Sequence, residues 1–291
     1  MASMRSSSPS NSLHVSNVFK VSGMVAVVTG GGTGIGAMIS RTLASNGANV
    51  YIISRRIEVL EDCVKAFEKD GTQEGKLIAL AGDLSSKAGI EELKLKLERL
   101  EPHLDLLVNC AGIIHSCPLT EPKTVENISK AMWSVEEREA EEIYKTNVLG
   151  PYFASAAFLP LLGRSKSNPQ IINISSVSSF MRTGSNSGLI YPLSKAALNH
   201  LTKILATELR DTNVRCNAIA PGMFRSQIIE ALESQPALFT RILKGIPAGR
   251  AGTEQEMAAV ILFLTSSNQS YVNGTIIPLE GGIMSVAPGT Y

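Results

Sequence analysis

Seven short apolar runs separated by stretches of helical period occupy the chain from Met24 onward, and this alternation constrains the fold more than any other feature. The runs cover residues 24–29, 49–54, 77–81, 104–109, 170–175, 214–220 and 275–278, and most are continuously apolar. Continuous apolar strands are buried on both faces, which is the habit of parallel sheets wrapped by crossover helices. Between them, residues 34–46 place Ile35, Met38, Ile39 and Leu43 on one stripe and then meet Gly47, a natural helix stop. Residues 57–69, 87–100, 135–162, 192–210 and 253–265 read as helices in the same way. The expected fold class is α/β: a single Rossmann-type doubly wound parallel sheet of about seven strands with helices on both faces.

The expected organisation is a disordered N-terminal tail over residues 1–17 and one domain over residues 18–291. The tail is rich in Ser and Asn, and its one Arg argues against a transit peptide. With 27 Lys and Arg against 26 Asp and Glu, the formal charge is +1, so no global field gathers nucleic acid or anionic membrane. A small, weakly charged molecule is the expected partner. Cys63, Cys110, Cys117 and Cys216 are scattered without a CxxC pair, which suggests neither a metal site nor a disulfide framework and points to a reducing, cytoplasmic setting.

The first strand runs directly into Thr29-Gly30-Gly31-Gly32-Thr33-Gly34-Ile35-Gly36 and then into a helix. Glycines at such a junction let the backbone turn sharply and approach a pyrophosphate, whose charge is met by the helix N-terminus. The spacing departs from GxGxxG, because three residues separate Gly30 from Gly34. Tyr191 and Lys195 stand four residues apart in a helical segment, so both project from one face, and an ammonium beside a phenol favours the phenolate. Pro192 suits a first helical turn and would put Tyr191 at the helix mouth. Upstream, an apolar strand ends in Ser175, Ser176, Val177, Ser178 and Ser179, any of whose hydroxyls is able to steady charge on a substrate oxygen.

In order along the chain, TGGGTGIG, Asn109-Cys110-Ala111-Gly112, Asn147, Tyr191 with Lys195, and Pro221-Gly222 resemble the motifs of the short-chain dehydrogenase/reductase family. The stretch IPAGRAGTEQEMAAVILFLTSSNQSYVNGTIIPLEGG resembles the ending of its 3-oxoacyl-carrier-protein reductase branch. The runs APGMFRSQ and YPLSKAALNHLTKILATEL are similar to the reductases of rhamnolipid and fatty acyl synthesis. The resemblance implies an NADP(H)-dependent oxidoreductase that reduces a ketone, a 3-oxoacyl thioester or a secondary-metabolite carbonyl, by hydride transfer. The same fold run as an alcohol dehydrogenase, or a non-catalytic NADP(H) sensor or scaffold, are the alternatives.

The resemblance further implies a catalytic set of Asn147, Ser176, Tyr191 and Lys195, with Ser175 and Ser178 as rivals to Ser176, which lies fifteen residues before Tyr191. In it, Tyr191 is the acid, Ser176 polarises, Lys195 tunes, and the backbone carbonyl of Asn147, in a local helix distortion, holds a proton-relaying water. Gly30, Gly32, Thr33, Gly34, Ile35 and Gly36 form the phosphate turn. At the end of strand two stand Ser54, Arg55 and Arg56 in place of the carboxylate that would accept ribose hydroxyls, and a guanidinium matches a 2′-phosphate, with Arg55 preferred. Asp83, with Leu84 beside it, either meets the adenine or caps the next helix. Asn109, Ala111 and Gly112 line the cofactor cleft, with Tyr191 and Lys195 contacting it, and Pro221, Gly222, Phe224 and Ser226 border the nicotinamide. Cys110 stands where the family carries a second asparagine and is expected to pack as a small apolar residue. A homodimer or homotetramer through helices 135–162 and 192–210 is implied as well.

The segment 117–143 is longer by roughly a dozen residues than the family's connection, and a loop of that length is expected to border the substrate mouth or a subunit contact. Met181, Leu189, Met223, Phe224 and Phe239 hint at an apolar substrate pocket.

Overall fold

The computed structural model describes residues 13–71, 74–115, 122–182, 188–224, 236–266, 268 and 270–289. Among them seven parallel strands form one sheet: β1 (Val25–Thr29), β2 (Asn49–Ser54), β3 (Lys76–Ala81), β4 (Leu106–Asn109), β5 (Gln170–Ile174), β6 (Arg215–Pro221) and β7 (Ile276–Leu279). Their order is β3-β2-β1-β4-β5-β6-β7, so the chain reverses its direction of travel across the sheet between β1 and β4. A crevice opens at such a switch point beyond the carboxyl ends of the strands.

The described helices are α1 (Gly34–Ser45), α2 (Ile57–Lys69), α3 (Lys87–Leu100), α4 (Val125–Trp133), α5 (Glu137–Tyr144), α6 (Gly150–Gly163), α7 (Ile190–Glu208), α8 (Pro236–Lys244) and α9 (Glu254–Thr265). They cover the sheet on both faces, and the period of two along each strand shares the core between them. On one face Ala26 and Val28 of β1 pack with Met38, Ile39 and Leu43 of α1, Leu60 of α2 and Met257, Ile261 and Leu264 of α9. On the other, Val25 and Val27 pack with Leu93 and Leu97 of α3 and Phe158, Leu161 and Leu162 of α6. None of the described helices is long and apolar enough to cross a membrane.

Two expectations about elements change. The single helix expected over residues 135–162 is broken into α5, a π turn at Lys145–Leu149, and α6. Pro151 supplies the reason: it brings no N–H to the carbonyl of Asn147 four residues back, and Gly150 instead donates to Lys145 five residues back. Residues 125–133, inside the stretch expected to be a long loop, are helical because Thr124 accepts from the Asn127 N–H and caps α4. That helix has no buried residue, and Trp133 at its end is 90% exposed. Residues 15–17, placed in the tail by composition, form one helical turn with Val18; the Asn17 carbonyl accepts from Asn268 and the Val18 carbonyl from Ser266.

Candidate active site

A cleft of about 840 Å³ lies at the carboxyl ends of β1, β2 and β4. Its floor is the β1–α1 turn. Gly30 and Gly34 hold φ of +67° and +51°, conformations that side chains rarely take. A Cβ on Gly36 would stand 2.1 Å from the Gly30 carbonyl oxygen, so α1 approaches the strand end as closely as glycine allows. Thr33 is the N-cap of α1 and makes no side-chain capping bond, which leaves the helix N-terminus facing the cleft. Thr29 ties this turn to β4: its hydroxyl accepts from Cys110 N at 2.9 Å and Ala111 N at 3.1 Å.

At one end of the cleft stand Ser54, Arg55, Arg56, Asp83 and Leu84. Burial tends to raise the Asp83 carboxyl, but hydrogen bonds from Ser85 and Ser86 and the Arg55 charge outweigh it and hold the group below the ordinary carboxylate range. Asp83 is not the cap of α3; Ser86 is, accepting from Gly89 N at 3.1 Å, and Asp83, three residues earlier, braces that cap by accepting from the Ser86 hydroxyl at 3.2 Å.

At the other end, α7 carries Tyr191 in its first turn and Lys195 one turn later. Lys195 is 5% exposed, donates from Nζ to the Ile174 carbonyl at 2.9 Å, and lies 5.8 Å from the Tyr191 ring centroid. Burial lowers its pKa to about 8, opposed by the adjacent Cys110 thiol. That thiol is itself pushed up to about 12 by burial, so Cys110 packs as a neutral group beside the ammonium. Burial raises the Tyr191 phenol, and its hydrogen bond with Ser176 is what pulls it down. Sequence spacing assigned such a lowering to Lys195, whose ammonium here donates to Ile174 and stands over the phenol ring.

Three serines compete at the end of β5, and their hydrogen bonds differ. Ser175 lines the cleft and donates to the Lys195 carbonyl at 3.2 Å, Ser178 offers its N–H to Ser176 Oγ at 3.2 Å, and Ser176 hydrogen-bonds with Tyr191. Asn147, fully buried in the π turn, spends its side chain on structure. Its amide exchanges two hydrogen bonds with the Ile113 backbone, at 2.9 and 3.0 Å, and donates to Ser194 Oγ at 3.1 Å. Ser194 in turn donates to the Tyr191 carbonyl at 2.7 Å. The Asn147 carbonyl is the one Pro151 leaves without an α-helical donor.

This arrangement suits a flat, charged, two-ended molecule: an anion cradle at a helix mouth, basic residues at one end and an acid–base pair at the other. Residues 30–284 match the profile of the family described as enoyl-(acyl carrier protein) reductase. The chain belongs to the short-chain dehydrogenase/reductase family. Its similarity to "Short-chain dehydrogenase/reductase PhomF" of Diaporthe leptostromiformis is 38% identity, covering 98% of this chain and all of that one. The rhamnolipids biosynthesis 3-oxoacyl-[acyl-carrier-protein] reductase of Pseudomonas aeruginosa is 35% identical over 91% of this chain and 97% of its own. Among solved structures, the Pseudomonas aeruginosa RhlG/NADP active-site complex superposes with a TM-score of 0.81 at 33% identity, covering 91% of this chain and 98% of that one.

In this short-chain dehydrogenase/reductase, the residues expected at the cofactor divide between those that line the cleft and those that do not. Gly32 faces α2, where a Cβ would stand 2.9 Å from Leu60. Phe224 is 4% exposed, its ring fills the space over Gly252 and it packs in the core, outside the cleft lining. Asn109 lines the cleft, but its amide turns inward to Asn173 at 2.9 Å and Ser155 at 3.2 Å. Gly30, Thr33, Gly34, Ile35, Gly36, Ala111 and Gly112 all border the cleft. Pro221 and Gly222 stand at the end of β6 against Leu279 and Glu280, outside the cleft lining. Ser226 lies outside the described residues. Ser194 and Thr29 were missed as supports; Thr29 opens the glycine motif, whereas nothing in the sequence pattern marks Ser194.

Proposed function

We propose that this oxidoreductase reduces a ketone with NADPH, Tyr191 being the proton donor. NADPH, when bound, supplies the hydride. Tyr191 gives its phenolic proton to the carbonyl oxygen while Ser176 donates a hydrogen bond to the same oxygen. A phenol held up by burial is fully protonated at neutral pH, the form an acid needs, and Lys195 stands beside it as the cation that favours the phenolate left behind. The Asn147 carbonyl, lacking its helical donor, is suited to hold a water on the route that returns the proton.

The hydrogen bond between Ser176 and Tyr191, at the end of a cleft floored by the glycine turn, carries the reading. NADP over NAD is supported by Arg55 and Arg56 at the end of β2, where no carboxylate stands, and by the solved relative's complex with NADP. The rhamnolipid relative supports a 3-oxoacyl thioester as the substrate class. Alcohol oxidation is the same site run in reverse.

Self-association is part of the proposal. Tyr144, Leu149 and Tyr152 along α5–α6, and Leu193 and Ile204 on α7, are between 37% and 54% exposed, more apolar surface than two helices ordinarily leave to water. Among the described residues Cys63, Cys110 and Cys216 are free thiols, in keeping with a reducing, cytoplasmic setting. The test is NADPH consumption across a panel of 3-oxoacyl thioesters, cyclic ketones and quinones, with Tyr191→Phe beside the native chain. A Tyr191→Phe enzyme as fast as the native one on every ketone turned over would overturn the reading.

A further inference from the structure

Ser176 and Tyr191 belong to different elements, yet their hydroxyls must keep one distance for both to meet the same oxygen. The chain between them does not obviously secure it, because fifteen residues separate the two. What joins them is a set of hydrogen bonds from α7 to the 3-10 turn at Val177–Ser179 that follows Ser176. Ser175 Oγ donates to the Lys195 carbonyl at 3.2 Å. One turn further along α7, Asn199 Nδ2 donates to Ser179 Oγ at 2.7 Å, and that hydroxyl donates to the Ser176 carbonyl at 2.6 Å.

Asn199 is only 8% exposed, and among the described residues its buried Oδ1 has no donor. A half-satisfied buried amide costs stability that an apolar side chain of similar size would not. Among the described residues its one side-chain hydrogen bond goes to Ser179. The position therefore gives up stability for geometry, and the geometry it fixes ends on Ser176.

We infer that Asn199 and Ser179 are positioning residues that clamp Ser176 to the helix carrying Tyr191. The inference rests on the reading of Ser176 as the group that meets the substrate oxygen. Neither residue reaches the reacting atoms. They act by holding the turn at a fixed height against α7, so that the Ser176 hydroxyl stays on the phenol.

The full-length protein labelled with ¹³C at tyrosine Cζ gives a substrate-free readout, the Tyr191 resonance being the one lost in Tyr191→Phe. Ser176→Ala should move it. Asn199→Leu and Ser179→Ala should move it in the same direction and lower kcat about tenfold on the ketone turned over fastest, with KM for NADPH unchanged. Ser179→Thr, which keeps the hydroxyl, should restore both. Asn199→Leu should melt no lower than the native chain, and in a Ser176→Ala background it should cost no further rate. An unmoved resonance, a melting temperature that falls in step with the rate, or an equal rate loss in the Ser176→Ala background would each overturn the clamp. If Ser176→Ala itself leaves resonance and rate unchanged, the assignment of Ser176 fails, a separate outcome from a clamp that does not matter.

Discussion

Lys195 Nζ donates to the carbonyl oxygen of Ile174 at 2.9 Å and stands 5.8 Å from the ring centroid of Tyr191, one turn back on the same helix. The last residue of β5 thus fixes the lysine head, and the strand that leads into Ser176 also positions the cation. Four predictions follow from this arrangement and from the cleft beside it.

Replacing Tyr191 by Phe removes the proton donor and little volume. Turnover should fall by roughly two to four orders of magnitude while NADPH binding, read by fluorescence titration, stays near native. Loss of binding in parallel would show that the hydroxyl serves the cofactor and not the proton transfer.

Burial brings Lys195 from 10.5 to about 8, so the folded state releases this proton more readily than the unfolded chain does. Below about pH 8 both states hold the proton and the cost of burying the charge is fully present; it is relieved as pH rises from about 8 to 10.5, where only the unfolded state stays charged. The native chain should therefore gain on Lys195→Met across that window by up to about 3 kcal/mol, measured by denaturant unfolding of both at each pH. A gap independent of pH would mean that the ammonium is solvated.

Gly36→Ala would place a methyl group 2.1 Å from the Gly30 carbonyl oxygen, and backbone is unable to yield there without opening the turn. The expected cost exceeds about 3 kcal/mol in thermal unfolding, with weaker NADPH binding by whatever folded protein remains. Gly163→Ala, whose Cβ meets nothing within 4 Å, serves as the control and should change stability by less than about 1 kcal/mol.

Arg55→Ala should weaken NADPH binding by about 1.5–3 kcal/mol, roughly tenfold to 150-fold, and leave NADH binding unchanged. Because the same guanidinium helps to lower the Asp83 carboxyl, the variant should also bring that group closer to its ordinary range. Equal losses for the two dinucleotides would move the 2′-phosphate contact to another residue.

The sequence by itself determined the order of strands and helices, the glycine turn after β1 and the pairing of Tyr191 with Lys195. Each is written in local spacing: apolar runs too long to alternate, glycines where a side chain would collide, and one helical turn between phenol and ammonium. Periodicity alone reads one helix over residues 135–162 and misses the π turn at Asn147; only the family resemblance implies a distortion there, and Pro151, which lacks the N–H that a regular helix needs, is its local cause. Tertiary packing decided the rest. Which serine faces Tyr191, that Lys195 turns to Ile174, that Gly32 and Phe224 pack against Leu60 and Gly252, and that Asp83 braces a cap all depend on neighbours far away in the chain. Periodicity sets the direction in which a side chain leaves its own element. The partner it meets depends on how separate elements dock, and that is a property of the whole sheet and its helices.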